Sequence, residues 1–168
     1  MKINNYKLFL ESTKDIEYIC HKYRISNYII HSDGTVDVNG DVNLSGKRLT
    51  KLPLKFGKVT GYFTCNNNHL TSLEGSPHWV GDNFNSSYNN LTSLKGGPKY
   101  VGGGFSCAFN KLTTLEYGPE TVIGEYYCYK NNLVNFKGFL EDYDLYVNFD
   151  GNPVYKLLID IPRNKENK

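Results

Sequence analysis

Apolar residues recur along this chain with a fixed period. Leu49, Leu70, Leu91, Leu112 and Leu133 are each 21 residues apart, and Leu52, Leu73, Leu94, Leu115 and Phe136 follow them at the same spacing. The register also holds Val42, Phe63, Phe84, Phe105, Tyr126 and Val147, and a polar column of Asn68, Asn89, Asn110, Asn131 and Asn152, with no insertion between positions 39 and 164. Such a period predicts a stack of like units, six rungs of which the outer two diverge. Alternation at Phe63/Cys65, Phe105/Cys107 and Tyr126/Cys128 places both side chains of each pair on one face of a short strand, and that face is the core side. Each Asn sits where the chain leaves the strand, where its amide can hydrogen-bond backbone groups of neighbouring turns that burial would otherwise leave unpaired. Twenty-one residues are too few for a strand plus a long helix. The convex side is therefore expected to be extended or 3₁₀, punctuated by Pro77, Pro98 and Pro119.

A stack of rungs exposes apolar faces at its ends and needs caps. Ser12-Thr13-Lys14-Asp15 has the spacing of a helix start, and Ile16, Ile19, Cys20 and Tyr23 follow on one helical stripe. Short strands are expected around Tyr28–Ile30, Thr35–Val38 and Asp41–Leu44, joined by turns at Ser32-Asp33-Gly34 and Asn39-Gly40. At the other end Asn152-Pro153 offers an N-cap and a first-turn proline to a helix carrying Val154, Leu157, Leu158 and Ile161, which Pro162 stops. The resulting organisation is a helix/hairpin cap over 1–38, a solenoid over 39–152, and a capping helix with a frayed tail over 153–168. Glu74, Lys95, Glu116 and Lys137 form one column of alternating sign, so adjacent rungs are expected to set opposite charges side by side.

The outward strand positions are free of the core and can carry function. They are rich in Tyr, Asn and Ser, the composition of surfaces that bind protein through rigid aromatic anchors and adaptable hydrogen bonds. The partner-binding candidates are Tyr62, Asn66, Asn85, Tyr127, Tyr129, Tyr146 and Asn148, extended at the strand edge by Tyr88 and Phe109. The bland alternative is that Asn, Ser and Thr merely solubilise an exposed sheet. Exposed tyrosines on neighbouring rungs argue against it.

Composition narrows the function classes further. With 168 residues, 19 Lys+Arg against 17 Asp+Glu and a net charge of +2, the chain suits one domain and offers little attraction to a polyphosphate or an anionic membrane. No run of apolar residues is long enough to span a bilayer, and the start has no cleavage-site pattern, so a soluble cytoplasmic protein is expected. Cys20, Cys65, Cys107 and Cys128 lack a zinc spacing and read as buried core thiols, three of them in one inward column. His21, His31, His69 and His78 are scattered, and Gly102-Gly103-Gly104 lacks the strand-then-helix context of a dinucleotide loop. Outward carboxylates fall on different rungs, which leaves no acid/base pair. No catalytic residue, metal or cofactor is therefore expected, and the chain reads as a non-enzyme.

The units themselves, from LTKLPLKFGKV through FTCNNNHLTSLEGSP and FSCAFNKLTTLEYGPETV, resemble leucine-rich-repeat proteins carried by tailed bacteriophages and by bacteria. The likeness spans about residues 35–155. The segment IEYICHKYRISNYIIHSDGTVDVNGDVNLSG is similar to the leader that precedes such repeats in the phage proteins. The fifth unit departs from the pattern, with Val134, Asn135 and Phe136 in place of Thr, Ser and Leu and no proline in its turn. The resemblance implies a leucine-rich-repeat solenoid, mostly β with α/β capping. It also implies a non-catalytic accessory protein that binds and blocks or redirects a bacterial host protein, such as a defence component, in the host cytoplasm. A structural, self-assembling or adhesive element is the alternative.

Overall fold

A computed structural model describes residues 2–139 and 146–154. Helix α1 (Lys2–Tyr23) leads into strands β1 (Tyr28–Ile30), β2 (Val36–Val38), β3 (Val42–Asn43) and β4 (Phe56–Val59). Then follow β5 (Phe63–Thr64), β6 (Trp79–Val80), β7 (Phe84–Asn85), β8 (Tyr100–Val101), β9 (Phe105–Ser106), β10 (Thr121–Val122), β11 (Tyr126–Tyr127) and β12 (Val147–Asn148). The strands form two six-stranded sheets, in the orders β3-β5-β7-β9-β11-β12 and β1-β2-β4-β6-β8-β10. Among the described residues all pairings are parallel except the β1–β2 hairpin. The fold is a parallel β-solenoid of about five turns with rungs of about 21 residues and one amino-terminal helix.

The first sheet, called the Phe sheet below, is the one the period predicts. Phe63 lies opposite Phe84, Phe84 opposite Phe105 and Phe105 opposite Tyr126, so like residues meet in register. The rings stack: Phe63 and Phe84 have centroids 5.6 Å apart and nearly parallel planes, and Phe84 and Phe105 are 5.4 Å apart. Leu70, Leu91, Leu112 and Leu133 are fully buried behind them.

The second sheet, the Val sheet, takes the convex side, where the segments expected to be extended or 3₁₀ are extended and paired into a regular ladder. Val38, Val59, Val80, Val101 and Val122 form a buried column at its core face. Two strands fit into so short a rung because the corner between them is tight: only residues 81–83 separate β6 from β7. A Cβ on Gly102 would lie 2.3 Å from the Gly81 carbonyl oxygen of the rung before, so this rung is fitted to glycine, whereas Thr60 and Ile123 hold the same column with the same backbone bond. Backbone hydrogen bonds run along this corner, from Gly61 N to Gly40 O at 2.9 Å and from Gly103 N to Asp82 O at 3.1 Å. Pro77, Pro98 and Pro119 are buried just before the Val-sheet strands.

The Asn column binds rung to rung. Asn110 Nδ2 donates to the carbonyls of Ser86 (3.1 Å), Cys107 (3.1 Å) and Ala108 (3.3 Å), and its Oδ1 accepts from Leu91 N at 2.9 Å. Asn68, Asn89, Asn131 and Asn152 repeat the arrangement, each bonding the previous rung. The divergent fifth unit keeps the register, since Tyr126 and Tyr127 pair with Val147 and Asn148. Asn135 Oδ1 accepts Lys137 N at 2.9 Å as the Ser72 hydroxyl accepts Glu74 N, and Phe136 meets Phe149 edge-on at 5.4 Å.

At the amino-terminal end the helix starts at Lys2, ten residues before the expected start, so Ser12 lies within it. Cys20 is fully buried and Ile16, Ile19 and Tyr23 pack on the core, which is the predicted stripe. The hairpin turn is closed by Asp33, whose Oδ1 accepts Thr35 N at 3.0 Å. Strand β2 also pairs with β4 and so belongs to the Val sheet. Beyond Val154, the expected carboxy-terminal helix and tail lie outside the described residues.

The charge column is corrected. Glu74, Lys95, Glu116 and Lys137 share a register, yet no ion pair closes among them; among the described residues rung-to-rung pairing is made instead by Lys99 and Glu120 at 2.8 Å and by Lys55 and Asp33 at 2.9 Å. All of these side chains are exposed, where an ion pair adds little and register alone does not set which of them meet.

One turn holds a residue the backbone disfavours. Gly75, Gly96 and Gly138 take left-handed φ values of 90°, 85° and 79°, and Tyr117, in the same column, takes 66° with its side chain exposed. Tyr117→Gly is expected to raise stability by about 0.5–1 kcal/mol, the relieved strain less the extra entropy of glycine in the unfolded chain. Thermal melting checks this, and a lowered melting temperature would mean that the ring contributes packing that outweighs the strain.

Candidate functional site

The outer face of the Phe sheet carries polar side chains along its length and a run of aromatic ones toward one end. The polar side chains are engaged within the fold. Asn43, Asn85 and Asn148 each accept a hydrogen bond from the backbone N–H two residues on, at 3.0, 2.9 and 2.8 Å. Asp41 and Asn83 accept from the backbone N–H of the next rung, Tyr62 at 3.1 Å and Gly104 at 2.7 Å. Asn66 takes the hydroxyls of Ser45 and Thr64, and Ser87 meets Ser106 at 2.6 Å. Asn66, Asn85 and Asn148, three of the candidate residues, thus have their carbonyl oxygens occupied by structural bonds. The local reason is the short reach of Asn, which lets it mimic a backbone turn.

The aromatic candidates come together. Tyr88 stacks on Phe109 with centroids 4.1 Å apart, Phe109 meets Tyr129 at 5.3 Å, Tyr129 meets Tyr127 at 6.3 Å, and Tyr127 meets Tyr146 at 6.3 Å. Five rings from four rungs form one continuous run, with Tyr88 48% and Tyr146 61% exposed. Tyr62 stands apart, beside a cleft of about 670 Å³ that it shares with the end of α1 (Lys22 and Tyr23) and with Arg24 just after it.

Backbone strain accompanies the run. The column Gly46, Asn67, Tyr88, Phe109, Lys130 and Gly151 takes left-handed φ on every rung, 55° at Tyr88 and 53° at Phe109. Glycine and Asn adopt this conformation readily, whereas aromatic residues there cost roughly 1–2 kcal/mol each. Their stacking offsets part of that cost.

Beside the run lies a hollow of about 500 Å³. Gly103, Gly104 and Ser106 supply its floor, since they have almost no side chain; Asn83 and Asn85 line one side and Glu125 and Tyr127 the other. The Tyr127 hydroxyl donates to the Glu125 carboxylate, a bond that holds the phenol proton and raises the Tyr127 pKa. The glycine run reads from sequence as a turn feature of the repeat; in the fold it is both the corner and this floor.

Sequence reasoning missed the outer face of the Val sheet. Lys58 Nζ lies 4.2 Å from the centre of the Trp79 ring, and Trp79 stacks on Tyr100 at 5.4 Å in parallel planes. The signal was present in the dipeptides Trp79-Val80, Tyr100-Val101 and Thr121-Val122 at the repeat spacing, but two residues are too few to show alternation.

The cysteine thiols are shielded. The thiols of Cys20, Cys65, Cys107 and Cys128 are free and buried. Burial pushes Cys65 and Cys128 up to about 12 and raises Cys107 well above the ordinary thiol range, so thiolate is scarce at neutral pH. Among the described residues no three His, Cys, Asp or Glu side chains gather where they could hold a metal ion, and no helix is long and apolar enough to cross a membrane. Set against protein-family models, curated proteins and solved structures, the chain matches none.

Proposed function

We propose that the chain is a non-catalytic protein-binding module of the leucine-rich-repeat kind, working through the outer face of the Phe sheet. The observation that carries this is the run of five contacting rings, Tyr88, Phe109, Tyr129, Tyr127 and Tyr146, two of them kept on left-handed backbone. Strain and exposed aromatic area both oppose folding and solubility, and such features persist where binding uses them. Rigid rings bury a large area at small entropic cost, which makes them the usual energetic centre of a protein interface. The polar side chains of the face are tied into turns, which favours binding over acid/base chemistry. The wording of the repeats supports the more specific reading: a phage-type accessory protein that binds and blocks or redirects a bacterial protein, such as a defence component, in the host cytoplasm.

Matched affinity capture from a bacterial lysate tests this, with the wild-type chain, Tyr129→Ala, Tyr146→Ala and Glu74→Ala as baits. A single stoichiometric protein is expected with wild type and Glu74→Ala. Both tyrosine variants should weaken it by about 2 kcal/mol, roughly thirtyfold, with little change in melting temperature. Normal binding by both tyrosine variants would move the interface to the Val sheet or the helix end. Self-association without any partner would favour the self-assembling alternative.

A further inference from the structure

The strands and corners of the Phe-sheet face carry no positive charge, although the chain as a whole is nearly balanced, with 19 Lys and Arg against 17 Asp and Glu. The corner and strand residues 39–45, 60–66, 81–87, 102–108, 123–129 and 146–150 contain none of the chain's 19 Lys and Arg and none of its 4 His, but hold Asp41, Asp82, Glu125 and Asp150. The bases nearest to this face stand at its margins. Lys22, Arg24 and Lys47 border the cleft beside Tyr62, at the amino-terminal end. Lys130 lies against Gly151, with its Cδ 2.7 Å from where a Cβ would stand. The carboxy-terminal half therefore combines carboxylates, aromatic faces and a hollow. Glu125 is exposed at the wall of that hollow, accepts the Tyr127 hydroxyl, and has no Lys or Arg within ion-pair distance among the described residues.

From this arrangement we infer that the hollow and its aromatic rim receive an arginine side chain from an extended, basic segment of the partner protein. This rests on the protein-binding reading above and names the chemistry of the segment. A guanidinium can pair with the Glu125 carboxylate while its plane lies against the Tyr127 ring, a combination that suits arginine better than the compact, strongly hydrated ammonium of lysine. Its three methylenes cross the glycine floor, where a larger residue than Gly104 or Ser106 would block the way. The neighbouring rings of Tyr129 and Phe109 are placed to take the flanking residues of the same segment.

The test is an NMR titration of the full, nitrogen-15-labelled chain with three blocked glycine/serine hexapeptides, identical except for two central residues that are arginine, glutamine or glutamate. The arginine peptide is expected to shift the amides of Gly103, Gly104, Glu125 and Tyr127 saturably. It should bind at least about tenfold more tightly than the glutamate peptide, and less tightly as salt rises. Glu125→Gln keeps an acceptor for the Tyr127 hydroxyl, so it should fold normally while weakening the arginine peptide about fivefold. Equal binding of all three peptides on this face would overturn the arginine inference and leave the protein-binding reading standing. Absence of saturable shifts, unchanged affinity in Glu125→Gln, or a preference of the hollow for a neutral oligosaccharide such as maltoheptaose would also overturn it. So would shifts on dilution that map the face to a second copy. A captured partner that protects only the Val sheet from hydrogen exchange would instead overturn the protein-binding reading of this face, whatever the peptides do.

Discussion

Replacing Phe84 with alanine is expected to cost about 3–5 kcal/mol, a large part of the stability of a domain this size. The ring is fully buried and lies between Phe63 at 5.6 Å and Phe105 at 5.4 Å, so its removal opens a gap at the centre of the stack. In a solenoid each rung touches only its neighbours, and a gap in the middle weakens two interfaces while no distant part of the core can move in to fill it. Urea denaturation followed by circular dichroism should show a lower midpoint, and the helix and the terminal rungs should lose their signal together. Phe109→Ala removes a ring of the same size that is only half-buried on the outer face, and should cost less than half as much. Equal losses would show that the two columns have been assigned to the wrong sides of the sheet.

Asn110→Ala should cost about 2–3 kcal/mol. The amide serves four backbone groups, donating to the Ser86, Cys107 and Ala108 carbonyls and accepting from Leu91 N. On its loss the carbonyls keep Asn89, Asn131 and Tyr88 N as donors, while the buried Leu91 N is left without an acceptor. Asn110→Asp sharpens the test because size is kept and only the donors change. A carboxylate among three carbonyls is repelled, so the folded pKa of the new group rises above its unfolded value near 4. Its stability is therefore highest below the unfolded pKa and falls as pH rises through the folded one, opposite to the usual effect of a paired acid. Asn85→Ala, which gives up a single bond to Ser87 N at a half-buried site, should cost under about 1 kcal/mol at any pH. A flat pH profile for Asn110→Asp would mean that water reaches this column.

The candidate face was legible in its membership more than in its roles. Outward positions follow from inward ones by alternation, so Tyr127, Tyr129 and Tyr146 could be placed on it from their spacing alone. That Asn66, Asn85 and Asn148 spend their carbonyl oxygens inside the fold depends on bond directions across turns, which spacing does not carry. The charge column shows the same limit: register brought Glu74 and Lys95 to adjacent rungs, but side-chain direction decided that Lys99 and Glu120 would close a pair.

By itself the sequence determined the rung length, the inward columns, the Asn ladder and the stripe of the amino-terminal helix. When units repeat every 21 residues without insertion, parallel stacking sets each residue beside its own copy, so one reading of the period assigns them all. Tertiary structure alone decided the Val sheet, since strands of two residues form only where a preceding rung offers them a ladder to join. It also decided the left-handed φ at Tyr88 and Phe109, which every rung must adopt at that corner whatever residue stands there. The closure of the aromatic run and the opening of the hollow beside it follow from the same stacking, because rings and glycines that lie far apart in the chain become neighbours only when the rungs are laid on one another.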